Sequence, residues 1–301
     1  MIRGLAWAVL VVACWAPMFP LAKRAFAHVD AFALGSIRYA LGSVLLVAVL
    51  WAAEGARALR YDGRFGAAVF AGLLGITGFN GLVWLGLTYS RPEHGAIIMA
   101  LQTPLTAIAV WLLHGQRPPA FTVGCIAAAI AGVGLVVTKG DPTHAFEGGS
   151  LLGDLLIVAG AVCWVGFALL GARFTGWSPL RYTVLTCIPG GIGLIVLNAL
   201  AIGVGIAAVP APEAMAAIGW QIAYFVVFSV FLGVLAFNQS VRQFGPLNTM
   251  LMLNLIPVCV FAIEAWLGRS FSVIEIGGAV LVIGALVANN LYLRWGVSRK
   301  V

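Results

Sequence analysis

The chain repeats a weak pattern at about half its length, and this repeat limits the folds that are open to it. Trp15 follows a cysteine in the first apolar stretch, and Trp164 follows another cysteine 149 residues later. Pro104, in Leu-Gln-Thr-Pro-Leu (101–105), recurs as Pro257, 153 residues later. We therefore expect two related halves that fold alike.

Both halves are strongly apolar. Hydrophobic residues make up 62% of the chain and charged residues only 9%, far below the ~25% charge of soluble domains. A membrane helix needs about 20 apolar residues, and the sequence divides into ten spans of about that length. They lie near 4–22, 31–53, 65–88, 95–113, 120–138, 151–171, 179–203, 215–240, 247–267 and 271–293.

These spans predict an all-α integral membrane protein of ten transmembrane helices. Residues 1–138 form the first five-helix repeat, 139–150 a linker, and 151–301 the second repeat. Because five crossings are an odd number, the second half enters the membrane from the opposite side. The prediction is a 5+5 inverted-topology repeat around a central cavity, which is typical of alternating-access transporters.

The distribution of basic residues predicts the orientation. With the N-terminus in the cytoplasm, eleven Lys and Arg residues fall inside and five outside. Cytoplasmic loops carry such an excess, so both termini are expected to be cytoplasmic. The same distribution accounts for the basic net charge of +7, which indicates a lipid bilayer as the partner and not nucleic acid.

Prolines inside the spans mark places where a membrane helix can break. We expect helix breaks or gating positions at Pro17, Pro104, Pro189 and Pro257. Broken helices near the midplane often border a transport site, although prolines in membrane helices also serve only as kinks.

Polar and aromatic side chains within the spans are the candidates for contact with a small-molecule substrate. Each polar side chain needs a partner away from lipid, so interhelical hydrogen bonding is an alternative for any one of them, as ordinary packing is for the rings. The candidate set draws on both halves and comprises Trp15, Phe79, Asn80, Gln102, Trp164, Tyr224, Asn238 and Asn254.

The two charged residues that we interpret as intramembrane are Arg38 and Glu264. They can pair with each other or extend outward to the interface, and Arg38 can alternatively contact a substrate carboxylate. We find no carboxylate or histidine at mid-span that could relay protons, and Glu264, the one candidate, is shallow. We therefore expect facilitated transport, or export driven by the substrate gradient, in preference to proton antiport.

Small residues at helical spacing predict close helix packing. Gly124, Ala128 and Gly132 lie on one face of the fifth span, and Gly277 and Gly284 lie seven residues apart in the tenth. These stripes are expected to support the two halves, with a dimer interface as the alternative use. The expected assembly is a monomer or a weak homodimer.

The segments that follow the two repeated prolines resemble a known family. Trp-Leu-Leu-His-Gly-Gln-Arg (111–117) and Ala-Trp-Leu-Gly-Arg (265–269), with ten spans, resemble EamA-type members of the drug/metabolite transporter superfamily. Within it the chain is most similar to YddG-type exporters of aromatic amino acids. Gln116 and Arg269 stand where the family usually has Glu after the loop glycine.

The resemblance implies a transporter of the bacterial cytoplasmic (inner) membrane that exports or facilitates amino acids, aromatic or otherwise neutral, and related metabolites. It implies no cofactor, no metal and no catalytic residue. A carrier of sugars, nucleosides or drugs is the alternative within the superfamily. A membrane-embedded enzyme is less favoured because no paired acids or His-Glu-x-x-His motif occur in the spans.

Overall fold

The computed structural model describes residues 2–115, 117–141 and 150–298, and every regular element among them is helical. Eight helical stretches are long and apolar enough to cross a membrane, and Leu255–Trp266 and Val273–Asn289 are shorter apolar helices. The eight are Gly4–Ala25, Ala31–Glu54, Phe65–Tyr89, Pro92–Leu113, Ala120–Thr138, Leu151–Gly171, Pro179–Gly203 and Gly219–Phe244.

Several of these stretches consist of more than one helix. In the first half the α-helices are α1 (Ile2–Trp15), α2 (Met18–Ala25), α3 (Ala31–Glu54), α4 (Phe65–Gly72), α5 (Phe79–Tyr89), α6 (Pro92–Met99), α7 (Gln102–His114) and α8 (Ala120–Thr138). In the second half they are α9 (Ser150–Gly171), α10 (Pro179–Gly203), α11 (Pro212–Ala217), α12 (Gly219–Tyr224), α13 (Leu235–Phe244), α14 (Pro246–Leu253), α15 (Leu255–Trp266) and α16 (Val273–Ser298).

Helix breaks accompany three of the four prolines. Pro17 lies between α1 and α2. α6 ends just before Ala100, four residues ahead of Pro104, and α14 ends at Leu253, four residues ahead of Pro257. A proline ring clashes with the carbonyl four residues before it and offers that carbonyl no N–H, which explains the position of both breaks.

Pro189 behaves differently, because α10 continues through it without a break. The helix break that the sequence predicts at Pro189 is therefore wrong. The carbonyl that Pro189 leaves without an N–H is that of Leu185, and it accepts a hydrogen bond of 3.3 Å from the Tyr61 hydroxyl. A side chain from another segment thus compensates for the missing backbone bond.

Helices from the two halves pair antiparallel. Gly86 of α5 lies against Gly153 of α9, and Gly75, before α5, lies against Phe167 near the other end of α9. By similar contacts α3 pairs with α10, α1 with α13, and α8 with α16, while α6 and α7 contact α15 and α14. The buried core therefore lies largely between residues 2–138 and residues 150–298.

Two π-helical segments interrupt this bundle, Leu73–Gly78 between α4 and α5 and Phe225–Val234 between α12 and α13. The wider π turn displaces side chains and is frequent at functional sites. Glycines let aromatic rings approach both segments closely: a Cβ on Gly75 would meet Phe167, and one on Gly233 would meet the Trp15 indole. No pattern in the sequence predicted these segments.

The contact between α8 and α16 involves Gly132 and Gly278. A Cβ on either glycine would lie 2.7 Å from the carbonyl oxygen of the other. Gly124, Gly277 and Gly284 have nothing within 4 Å of the corresponding position. The prediction for the tenth span is therefore wrong by one residue, because Gly278 and not Gly277 contacts Gly132.

Candidate functional site

A cluster of aromatic rings surrounds Trp164 near the middle of α9. The Trp164 ring lies 4.8 Å from Phe79, 4.9 Å from Phe237, 5.1 Å from Phe167 and 5.4 Å from Trp15, between ring centroids. Trp164 is 1% exposed. We call these five rings the aromatic cluster. It joins side chains from α1 and α5 to side chains from α9 and α13, so it lies at the seam between the two halves.

The two indole groups of the aromatic cluster differ in their hydrogen bonding. Trp15 Nε1 donates a 3.1 Å hydrogen bond to the Ser229 carbonyl oxygen. Trp164 Nε1 is buried and has no acceptor among the residues that the structure describes. A buried N–H normally finds a partner, so this donor is a candidate for contact with a ligand that carries a carbonyl or a carboxylate.

A row of rings connects the aromatic cluster to a cavity. Phe167 stacks on Tyr182 at 5.3 Å, and Tyr182 contacts Phe174 at 5.1 Å. Beyond them lies a cavity of about 340 Å³. It is lined by Gly171, Ala172, Phe174, Thr175, Trp177, Ser178, Pro179, Tyr182, Asn238, Val241 and Arg242.

The cavity is at one end of the bundle, which we call the arginine-rich end. This end contains the loop before α4 and the loop before α10. Arg181, near the start of α10, forms an ion pair with Asp62 in the loop before α4, with 2.5 Å between Nη2 and Oδ2. Arg57, Arg60, Arg64, Arg173 and Arg242 belong to the same end. Asn238 is at the cavity wall, where its Nδ2 donates to Thr183 Oγ1 at 2.7 Å.

Arg38 lies on the other side of the aromatic cluster and is 1% exposed. Its guanidinium carbon is 3.7 Å from the Trp84 ring centre. Nη1 donates to Ser229 Oγ at 3.0 Å, Nη2 donates to Asn80 Oδ1, and Nε has no acceptor among the described residues. Arg38 therefore neither extends to the surface nor pairs with Glu264, which is partly exposed elsewhere.

Ser229, in the second π-helical segment, connects Arg38 to the aromatic cluster. Its carbonyl accepts from Trp15 and its hydroxyl accepts from Arg38. Asn80 makes a second connection. Its Oδ1 accepts a hydrogen bond from Arg38, and it directly follows Phe79 of the aromatic cluster in the chain. The guanidinium and the rings are thus neighbours through two separate connections.

The other predicted site residues lie apart from this group. Tyr224 donates from its hydroxyl to the Cys14 carbonyl at 2.7 Å, which joins the two halves. Gln102 contacts Met99 Sδ at 3.3 Å, and Asn254 donates to Thr103 at 3.4 Å across the broken helices. The Tyr224 and Asn254 contacts match the interhelical alternative that the sequence left open, whereas the Gln102 contact is local to one span.

Pro104 lines a second cavity, of about 450 Å³, whose other wall residues are almost all apolar. It lies between α7, α8 and α9 and is lined by Ile98, Leu101, Leu105, Ile108, Ile126, Ile130, Val133, Gly134, Val137, Thr138, Leu151, Asp154, Leu155 and Val158. Pro257 is buried at the start of α15.

The end opposite the arginine-rich end holds a cluster of charged side chains, and we call it the Glu93 end. Arg269 pairs with Glu93 and lies 3.5 Å from Glu275, and Lys139 is 4.0 Å from Glu275. His94 Nδ1 is 3.6 Å from Asp154 Oδ2. Lys23 Nζ also donates to the carbonyl oxygens of Leu87 and Ser90, at 2.8 and 2.6 Å, which ties α2 to the loop after α5.

Sequence reasoning missed Glu93 and His94 because it started the fourth span at residue 95. Both are buried within Pro92–Leu113. Pro92 at the first helical position was the available signal, since proline favours that position. Glu264 is therefore not the only acid inside a span, and the preference for facilitated transport over proton antiport stays a prediction.

The carboxylates and imidazole of Glu93, His94 and Glu275 place one ligand atom each within 4.8 Å of one another. Arg269 contacts both carboxylates and already supplies a positive charge between them. The arrangement therefore favours an ion-pair cluster over a metal site. Gln116, the counterpart of Arg269 in the first half, and the linker residues 142–149 lie outside the described residues.

Comparison with known proteins places the chain in a family. The profile of the EamA-like transporter family matches residues 2–138 and 151–291. The chain belongs to the EamA-like transporter family. It is therefore a membrane transporter.

Two relatives of this EamA-like transporter match more than nine tenths of its length. The uncharacterized transporter YyaM of Bacillus subtilis (strain 168) is 32% identical over 91% of this chain and 89% of its own. The uncharacterized transporter YrdR of the same organism is 29% identical over 93% and 88%. A solved crystal structure, 18% identical, shares the fold with a TM-score of 0.68 over 97% of each chain.

Proposed function

We propose that this EamA-like transporter carries amino acids with aromatic or other apolar side chains, and related small metabolites, across the bacterial cytoplasmic membrane. The observation that carries this proposal is the unpaired indole N–H of Trp164 inside the aromatic cluster. The rings provide faces for an apolar or aromatic side chain, and the N–H provides a donor for its polar end.

The proposed mechanism is alternating access between two five-helix repeats of inverted topology. Three features support it. Helices of the first half pair antiparallel with helices of the second, the described part of each half has one π-helical segment, and Pro104 and Pro257 break helices at matching distances. The ten spans, with residues 139–150 as the linker, would then enclose the substrate path at the seam.

The two ends of the bundle differ in a way that supports an inward-facing state. The cavity of about 340 Å³ is at the arginine-rich end, while ion pairs and the Lys23 hydrogen bonds join helices at the Glu93 end. The excess of Lys and Arg supports placing the arginine-rich end in the cytoplasm. On this assignment both termini are cytoplasmic, and substrate enters from the cytoplasm and leaves as an export product.

The test uses purified protein in liposomes and the uptake of radiolabelled tryptophan. Trp164→Ala removes the central ring and should lower uptake about tenfold, because a lost ring contact of ~1.4 kcal/mol corresponds to that factor. Trp164→Phe should retain most of the activity. Trp266→Ala is the matched control, since that side chain is 85% exposed.

Two results contradict the proposal. If unlabelled phenylalanine, tyrosine and leucine all fail to compete with tryptophan uptake, the proposed class of amino acids with aromatic or other apolar side chains is wrong. Trp164→Ala protein that folds and transports like the wild type would remove the aromatic cluster from the path.

A further inference from the structure

Arg38 is a buried cation whose partners are all neutral. Its guanidinium contacts the Asn80 amide oxygen, the Ser229 hydroxyl and Met18 Sδ. Its other neighbours are rings, with Trp84 at 3.7 Å and Tyr39 at 5.1 Å from the guanidinium carbon. None of its contacts among the described residues is a carboxylate.

Such a group is costly to bury. Removing a charge from water without an opposite charge costs several kcal/mol, and neutral hydrogen bonds and ring stacking offset only part of this cost. Nε still carries an unused N–H. A buried guanidinium with a donor that nothing accepts from among the described residues is well suited to binding a carboxylate through charge-assisted hydrogen bonds.

We propose that Arg38 binds the carboxylate of the transported substrate, an inference that rests on the function proposed above. Ser229 contacts both Arg38 and Trp15, and Asn80 is adjacent in the chain to Phe79. A carboxylate at Arg38 therefore places an attached side chain among the rings of the aromatic cluster. The substrate class is thereby narrowed to carboxylates with an apolar side chain, while the amino group is the less important recognition element.

A purely structural role for Arg38 makes a different prediction. Arg38 joins α3 to α5 and to the second π-helical segment, and as a brace it would affect folding and rate for every substrate alike. As a carboxylate site it decides which ligands bind. The experiment must therefore vary the ligand as well as the protein.

The first arm uses wild-type protein and three indole compounds that differ at one end. Tryptophan has a carboxylate and an amino group, indole-3-propionate lacks the amino group, and tryptamine lacks the carboxylate. Indole-3-propionate should compete with tryptophan uptake and raise the melting temperature of the purified protein. Tryptamine should need at least a tenfold higher concentration for either effect.

The second arm compares Arg38→Gln and Arg38→Lys with Arg57→Gln, an exposed arginine at the arginine-rich end. Arg38→Gln should bring the ratio of tryptamine to indole-3-propionate inhibition constants toward one. Arg38→Lys, which keeps the charge, should retain a preference for the carboxylate. Arg57→Gln should leave the ratio unchanged.

The outcomes separate the two proposals. Protein that transports no amino acid overturns the proposed function. Protein that transports tryptophan but is inhibited equally by tryptamine and indole-3-propionate overturns the role of Arg38 and leaves the proposed function intact. If Arg38→Gln does not fold, the wild-type arm still tests whether the carboxylate is required. Arg38→Lys then tests the role of Arg38, because an ammonium cannot form the bidentate contact and should give a smaller ratio than the wild type.

Discussion

Gly132 of α8 faces Gly278 of α16 so closely that a Cβ on Gly132 would lie 2.7 Å from the Gly278 carbonyl oxygen. The same Cβ would lie 2.7 Å from a methyl group of Val282. The two helices thus meet backbone to backbone, as membrane helices do at small residues. This contact pairs the last helix of each half.

Gly132→Ala should therefore destabilise the protein. The added methyl group must displace backbone, and overpacking of this kind costs about 1–3 kcal/mol of the free energy of unfolding. Gly124→Ala, on the same helix with nothing within 4 Å, is the matched control and should be neutral or slightly stabilising, because alanine favours helix by up to ~1 kcal/mol over glycine. Thermal unfolding in detergent measures both. Equal melting temperatures for the two variants would contradict the close approach of α8 to α16.

Arg269 and Glu93 should behave as a coupled pair. The Glu93 side chain is fully buried, so Arg269→Gln leaves its carboxylate without its cation. Breaking such a pair from one side costs about 3 kcal/mol, whereas Glu93→Gln with Arg269→Gln removes both charges and should recover much of the loss. A double-mutant cycle in thermal unfolding gives the coupling energy. Arg91→Gln, an exposed arginine at the same end, is the control, and additive effects in the cycle would show that the pair is not coupled.

Residues at the ends of the first span of each half should lie on opposite sides of the membrane. Arg24 in α2 and Arg173 after α9 are both exposed. In a variant lacking the five cysteines, Arg24→Cys should react with an impermeant maleimide in whole cells, and Arg173→Cys only in inverted vesicles. The cysteine-free protein supplies the background. Labelling of both positions from one side would rule out the inverted repeat.

Four of the five rings of the aromatic cluster could be singled out from the sequence because they have simple signatures, whereas Phe167 could not. Trp15 and Trp164 occupy equivalent positions in the two halves, and Phe79 and Phe237 each precede an asparagine. Apolar rings in the middle of a span have no lipid interface to occupy, which favours burial at the seam. The structure brings all four together.

The rest depends on helix phase and on tertiary contacts that a linear pattern does not contain. Gly277 and Gly278 differ by one residue, which is about 100° around a helix and decides which one meets α8. Pro189 leaves α10 intact, and its freed carbonyl bonds to Tyr61, whose segment precedes it by more than a hundred residues. Partners of this kind appear only in the folded chain.

The antiparallel pairing of helices from the two halves has a consequence for which way the resting protein faces. If the halves are related by a twofold axis, the same backbone design closes either end, and only the side chains distinguish them. One end has Glu93 with Arg269, and the other has Trp177 with Arg242. The free-energy difference between the conformation open at one end and the conformation open at the other then depends on a few contacts at the ends of the bundle. A single substitution there can reverse which conformation is preferred without altering substrate selectivity.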